Sequence, residues 1–401
     1  MSTSIIKKAA VIFTVILIMT GCAAKEDMAL SQPFAPPAAN KIPEAYINLP
    51  DKETSSEEAK KSYPTMSNSA PESSAAPGTS QTDSSASGNT QNSAQVKLEE
   101  IELAGKTLYR LNGGDYFIRR PLEEDANVKT AVSNCAKWFS GLQSANPNVK
   151  FYTYYVTRAT NCDWYGKENG IYTYDYASFF EKQLGSDTQI KNSRYKIANL
   201  QDYMNTGYKT DFHVNNVGSY RIYQDIYQML SADTTLSPMI PQGEESNFNE
   251  LHMIGDLFDN AMLKGLSFTD GQMDIFKAYQ FNYGDYTSYI NDKKMILGLE
   301  KEYADGQIDR DPRAGHQFAY YGGQTGVIRL EFNHPDKPNL LLLSDSQGRP
   351  SRKLIASHFN RTIFLDDVQT RSNDIEKVIK ENNIGVVILI GQESMFEIYN
   401  G

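Results

Sequence analysis

Two short stretches of this 401-residue chain hold residue types whose spacing suits covalent chemistry. The first is "LLLLSDSQGRPS", residues 340–351, where an apolar run stops at Ser344-Asp345-Ser346 and is followed by Gly348 and Pro350. A nucleophilic serine needs a sharp turn, a base within reach of its proton, and a third group that orients the base. Ser346 meets the first need. Gln347, Gly348 and a helix starting near Pro350 would aim backbone N–H groups at a developing oxyanion. A serine after a buried strand serves equally well as a turn residue or helix cap, so the local pattern leaves both roles open.

The second stretch is "TDFHV", residues 210–214. In an extended segment, residues i and i+2 point to the same side, which sets Asp211 beside His213. The carboxylate would then fix the imidazole's tautomer and stabilise its charged form. The same pattern also describes a solvated aspartate and a histidine bonded to a carbonyl. Among other polar residues, Asp345 reads as a turn cap, His358 as structural, and His316 as a weaker alternative base. Tyr320 and Tyr321 are candidates to stack on a sugar ring, with core packing as the plainer alternative. Arg349 is a candidate to meet an anionic acceptor, with a solvated helix start as the alternative.

The elements that must position these residues are clearest in the C-terminal third. Residues 339–343, 361–367 and 384–392 read as strands, and 350–359 and 373–383 as helices, the second with an Asn cap. This βαβαβ core at 339–392 implies a parallel sheet with right-handed crossovers and ligands at the carboxyl ends of its strands. Ser346 falls at one such end. Further upstream, 127–146, 174–185 and the segment from Ser219 to 231 have helical spacing, and 148–160 reads as a strand. Between 232 and 310 the pattern suggests helical pieces, "NELHMIGDLFDNAMLKG" and "MILGLEKEYAD", with a Tyr-rich loop.

The N-terminus carries Lys7 and Lys8, an apolar stretch and then Thr20-Gly21-Cys22. That is the layout of a signal peptide, residues 1–21, too short for a comfortable membrane span. Its Ile-Met-Thr-Gly-Cys ending resembles the lipobox of bacterial lipoproteins, which implies lipidation of Cys22, palmitate included, and anchoring on the extracytoplasmic face of the membrane. Residues 22–95, rich in Ser, Ala, Pro and Thr, lack apolar periodicity and read as a disordered tether. Residues 96–401 are then the globular head. A net charge of −10 without a basic cluster argues against nucleic acid as a partner. The scattered histidines and cysteines suggest no metal site, and no cofactor is expected. An exported chain permits a Cys135–Cys162 disulfide without requiring one.

"YKTDFHVNNVGSYRIYQDI", followed more than a hundred residues later by "LLLLSDSQGRPSRKLIASHFNRTIFLDD", resembles the bacterial DHHW proteins. These belong to a wider SGNH-hydrolase-like group that includes the alginate O-acetyltransferases. The resemblance implies an α/β, flavodoxin-like parallel sheet flanked by helices, with Ser346 as nucleophile, His213 as base and Asp211 as its orienter. Two departures stand out: Val214 replaces the family's Trp, expected to loosen packing around the histidine, and Ser344 replaces the Gly of G-D-S, expected to strain the turn. The implied activity is O-acetyl transfer to a cell-surface polysaccharide through an acyl-serine. The implied partners are that glycan and a membrane-bound protein that delivers acetyl groups. A carbohydrate O-acetylesterase and a catalytically degenerate glycan-binding lipoprotein are the alternatives.

Overall fold

The computed structural model describes residues 96–399, apart from 112–113, 163–164, 166–172, 186–187, 232–236, 259–261, 264–265 and 324–325. The expected signal peptide, the tether and Cys22 lie outside the described residues. Strands β1 (Leu98–Leu103), β2 (Lys106–Leu111) and β3 (Phe117–Arg119) form a small antiparallel sheet. Then come β4 (Lys150–Tyr155), β5 (Lys191–Arg194) and the paired strands β6 (His252–Met253) and β7 (Asp274–Ile275). The rest are β8 (Thr287–Ile290), β9 (Lys293–Lys294), β10 (Ile328–Glu331), β11 (Asn339–Ser344), β12 (Arg361–Leu365) and β13 (Ile384–Gly391).

Eight of these make the main sheet, in the order β5-β4-β13-β11-β12-β10-β8-β9. Its first five strands are parallel, and β10, β8 and β9 add an antiparallel edge. The parallel strands inside the edge strand β5 are buried on both faces, which is why β11 and β13 read as near-continuous apolar runs rather than as alternating ones. Leu340, Leu342, Val386 and Ile388 face one side, packed with Ile222 and Ile226 of helix Asn216–Leu230 and with Leu354 and Ile355 of helix Arg352–Ala356. Against the other side lies helix Ala126–Ala145, which Asp125 starts by accepting from the N–H groups of Asn127 and Val128. Its Phe139 meets Phe151 of β4 edge-on, with ring centroids 5.3 Å apart.

The chain leaves β4 towards β5 and leaves β11 towards β12, in opposite directions across the sheet, while β13 fills the place between. A crevice opens at the carboxyl ends of strands where connections diverge in this way. Ser346, just past β11, and Gln392, just past β13, lie there.

Several sequence expectations change. The helix expected over 350–359 is a 3₁₀ turn, Ser346–Ser351, running into Arg352–Ala356. The one expected over 373–383 is Ile375–Glu381, capped by Asp374 rather than Asn373, and an unexpected helix, Asp367–Ser372, precedes it. "NELHMIGDLFDNAMLKG" is not helical where it is described: Phe248, Asn249 and Glu250 take positive φ and lead into β6. Three successive left-handed residues cannot continue into a right-handed helix. The second middle piece shrinks to Glu300–Ala304 because Gly298, at φ +84°, turns the chain just before it. Part of the Tyr-rich loop is strand β8. Cys135 and Cys162 are both buried and do not form the disulfide.

Candidate active site

The loop 207–214 is closed by a bridge between Gly207 and Val214 and held from outside by segments distant in sequence. Phe117 N–H of β3 donates to Lys209 O, and Leu257 N–H donates to Thr210 O. Asp274 of β7 accepts from Lys209 N at 2.7 Å, Thr210 N at 2.8 Å and Thr210 Oγ1 at 2.6 Å. Burial pushes the Asp274 carboxyl up to about 6 despite those bonds. The loop is thus fixed by a ring of backbone contacts before any chemistry is asked of it.

On this loop Asp211 and His213 stand side by side. Asp211 Oδ1 lies 2.6 Å from His213 Nδ1 and also accepts the His213 backbone N–H at 2.8 Å. Its Oδ2 accepts Asp256 N–H at 3.2 Å. Burial works to raise the Asp211 carboxyl, but the His213 ring and these N–H donors outweigh it and hold it below the usual range. With its proton on Nδ1 facing the carboxylate, His213 leaves Nε2 bare, and Nε2 sits 2.7 Å from Ser346 Oγ. Asp211, His213 and Ser346 therefore form one continuous hydrogen-bonded chain, although 133 residues separate the histidine from the serine. Asp211 and His213 are buried, and Ser346 is half-buried.

Ser346 is presented by Asp345, which caps the turn and joins two strand ends. Asp345 Oδ1 accepts Gln347 N–H at 2.9 Å, while Oδ2 accepts Gln392 N–H at 2.8 Å and Ser394 Oγ–H at 2.6 Å. Gln347 N–H is therefore committed to Asp345 and is not free to meet an oxyanion, against the sequence expectation. The N–H of Ser346 itself has no partner among the described residues.

The two departures from the family pattern are both accommodated. Ser344 does not take a positive φ, so its backbone is unstrained. Its Oγ donates to Asp345 O at 2.8 Å and occupies the space beside Gly348, where an added Cβ would stand 2.1 Å from it. Val214 is buried in the apolar core with Ile222 and Tyr223.

Other expected site residues are placed differently. Tyr320 is 3% exposed, inside an aromatic cluster with Phe276 and Tyr303, and cannot stack on a sugar. Tyr321 packs edge-on against Tyr320 at 4.9 Å and is half-buried in the same cluster. His316 is also there, its Nδ1 2.9 Å from Tyr303 Oη, so it is a core residue rather than a second base. His358 stacks on Tyr223, whose hydroxyl lies 2.9 Å from its Nε2. Arg349 sits three residues past Ser346, half-buried, with its guanidinium 4.9 Å from the Phe318 ring centre.

Sequence reasoning missed four residues that shape the site. Gly255 lies against Asp211 so closely that a Cβ there would stand 2.3 Å from the Asp211 Cβ. Asp256 places a carboxylate beside the pair, raised by the loss of water around it and then by Asp211. Asp274 anchors the loop. Arg119 lays its guanidinium 3.4 Å from the Phe212 ring centre, and Phe212 in turn stacks on His213 at 4.1 Å. No local signal marks these residues, because each acts through a partner far away in sequence. Donor atoms of Asp211, His213 and Asp256 lie within 4.8 Å of one another, a spacing a cation could use. The 2.6 Å contact between Asp211 and His213 commits their facing atoms to each other instead.

No protein-family model matches the chain, and no curated protein matches it. Solved structures do. PatB1 of Bacillus cereus is 18% identical, covering 75% of this chain and 100% of its own, with a TM-score of 0.58. PatB1 with a sulfonyl adduct matches at 18% identity and a TM-score of 0.54, over 75% of this chain and 99% of its own. A DHHW family protein from Eubacterium siraeum is 18% identical over 74% of this chain and 94% of its own, with a TM-score of 0.53. At such identities the likeness is one of fold, and this chain has the SGNH-hydrolase-like α/β fold that it shares with PatB1 and with a DHHW family protein.

Proposed function

We propose that the chain is an acyl-transferring enzyme that moves acetyl groups onto hydroxyls of a cell-surface polysaccharide. The observation that carries this reading is the unbroken hydrogen-bonded chain from Asp211 through His213 to Ser346. In the first step Ser346 Oγ attacks the carbonyl carbon of an acetyl ester and passes its proton to His213 Nε2. The imidazolium then protonates the departing alcohol, leaving acetyl-Ser346. In the second step a sugar hydroxyl gives its proton to Nε2 and attacks the acyl carbon, and Ser346 leaves with that proton. Asp211 holds the imidazole tautomer and stabilises its charged form in both steps. The unpartnered N–H of Ser346 is the donor offered to the tetrahedral oxyanion.

The glycan as acceptor rests on the resemblance to the DHHW and alginate-modifying group and on the shared fold, not on a bound sugar. Lipid anchoring at Cys22 on the extracytoplasmic face, with a membrane protein supplying acetyl groups, belongs to the same proposal. Among the described residues no helix is long and apolar enough to cross a membrane.

The test is covalent. The full chain is incubated with a sulfonyl fluoride and, separately, with an activated acetyl ester in the presence and absence of oligosaccharide. Wild type should gain one sulfonyl mass and turn the ester over, with acetyl appearing on the sugar. Ser346→Ala should do neither, losing at least about a thousandfold in turnover. Equal behaviour of the two proteins sinks the reading. Acetate release without any acetylated sugar would make the enzyme an esterase instead.

A further inference from the structure

The crevice and the turn that presents Ser346 each hold a guanidinium left unpaired among the described residues. Arg119 is half-buried, lines the cleft with Phe212, His213 and Gln392, and stacks on the ring that backs the histidine. Its guanidinium makes no ion pair and no hydrogen bond with any described residue. Arg349, on the turn that presents Ser346, is likewise half-buried, contacts the face of Phe318, and has no ion pair or hydrogen bond at its guanidinium with any described residue.

A guanidinium withdrawn from water without an acceptor is unfavourable, and folded chains ordinarily supply one. This chain does so for the neighbouring Arg158, which lines the same cleft and is ion-paired with the buried Glu393. Burial pushes Arg119 down to about 9 and lowers Arg349 as well. The Asp256 carboxylate feels both cations but pairs with neither. Arg presents a planar fork of donors matched to carboxylate and phosphate oxygens.

We infer that the crevice recognises an acceptor saccharide by an anionic substituent, a carboxylate or a phosphate, held by Arg119 with Arg349 as the second cation. This rests on the crevice being the acyl-transfer site, and it names the class of glycan that enters it. Anchoring the anion at Arg119 would set a neighbouring sugar hydroxyl against His213, two stacked rings away from the guanidinium.

The experiment reads binding rather than turnover, so it stands apart from the catalytic proposal. Dissociation constants are measured for full-chain wild type and Ser346→Ala with oligogalacturonate and with its carboxyl-reduced neutral counterpart. A second pair compares a glycerol-phosphate-bearing oligosaccharide with its dephosphorylated form, and inorganic phosphate serves as competitor. The expected result is a preference of about tenfold or more for the charged member of at least one pair. The pair that shows it identifies the anion as carboxylate or phosphate. Arg119→Gln should bring that preference to within about twofold, Arg119→Lys should keep part of it, and Arg349→Gln should weaken it about threefold. If Arg119→Gln fails to fold, the Arg119→Lys and Arg349→Gln proteins decide. Equal binding of charged and neutral saccharides by wild type, or a full preference surviving in folded Arg119 and Arg349 variants, overturns the inference. Loss of sulfonyl labelling with the preference intact would instead remove the catalytic reading alone.

Discussion

The crevice around Ser346 and the segment 352–358 both bury imidazole and guanidinium groups, and they satisfy them in opposite ways. In the segment, Arg352 is 1% exposed, donates to Tyr321 O at 2.7 Å and to Gly322 O, and lies over the Phe364 ring. Lys353 beside it pairs with Glu300 at 2.6 Å. His358 receives the Tyr223 hydroxyl at 2.9 Å, while that hydroxyl accepts Met239 N–H at 2.6 Å. These contacts close within the fold, although Arg352 Nε and His358 Nδ1 find no hydrogen-bond partner among the described residues. In the crevice, His213 has a carboxylate on one nitrogen and a serine hydroxyl on the other, and Arg119 there and Arg349 on the Ser346 turn have aromatic faces but no acceptor among the described residues. The same residue types build structure where their partners are internal, and a reactive surface where one partner is left to come from outside.

That contrast can be broken most severely at Asp211. Asp211→Asn keeps the shape but removes the charge that fixes the His213 tautomer, and kcat should fall about a thousandfold or more while KM moves little. Steady-state kinetics on the acetyl ester check it; a loss below tenfold would mean that His213 needs no orienting carboxylate.

His358, lacking a carboxylate, should show the opposite face of the comparison through pH. Burial, aided slightly by His334, pushes it from its ordinary 6.5 down to about 4. Between those values the unfolded chain holds a proton that the folded chain refuses, so stability rises with pH. The contribution is fully present above about 6.5 and is lost as the pH falls towards 4, a change of about 3 kcal/mol. Denaturant titrations from pH 4 to 7 should show this slope in wild type and a shallower one in His358→Gln. Parallel slopes would mean that the imidazole is not held neutral.

The arginines sharpen the contrast at the smaller end. Arg352→Met leaves two buried carbonyls without their donor and should lower unfolding stability by about 2 kcal/mol. Arg119→Met removes an unpaired guanidinium and should change stability by no more than about 0.5 kcal/mol. Equilibrium unfolding of the two variants side by side decides it. Similar losses would make Arg119 a packing residue like its counterpart.

How much of this was legible in the sequence follows the range of the contacts. "LLLL" and "VVILI" announce strands buried on both faces, and Asp211 with His213 announces itself by i, i+2 spacing. Ser346 could be seen as a turn but not as a nucleophile from its own neighbours alone. The rest lay beyond local pattern. Gly255 meets Asp211, Asp274 ties down Thr210, and Arg119 reaches Phe212, 93 positions further on, none of which leaves a periodic trace. Tyr320 and Tyr321 misled because a tyrosine's sequence context does not say whether its ring faces water or, as here, Phe276 and Tyr303. The middle misled because helical spacing of apolar residues was overridden by left-handed backbone at 248–250.

One contact described above also bears on how such a turn changes over evolutionary time. The side chain of Ser344 fills the space that a β-carbon at position 348 would need. Substitutions at the two positions are therefore linked: bulk gained at one must be matched by its absence at the other. The serine at 344 sits in the turn unstrained because the glycine four residues on makes room for it, and drift at either site is free only when the pair moves together.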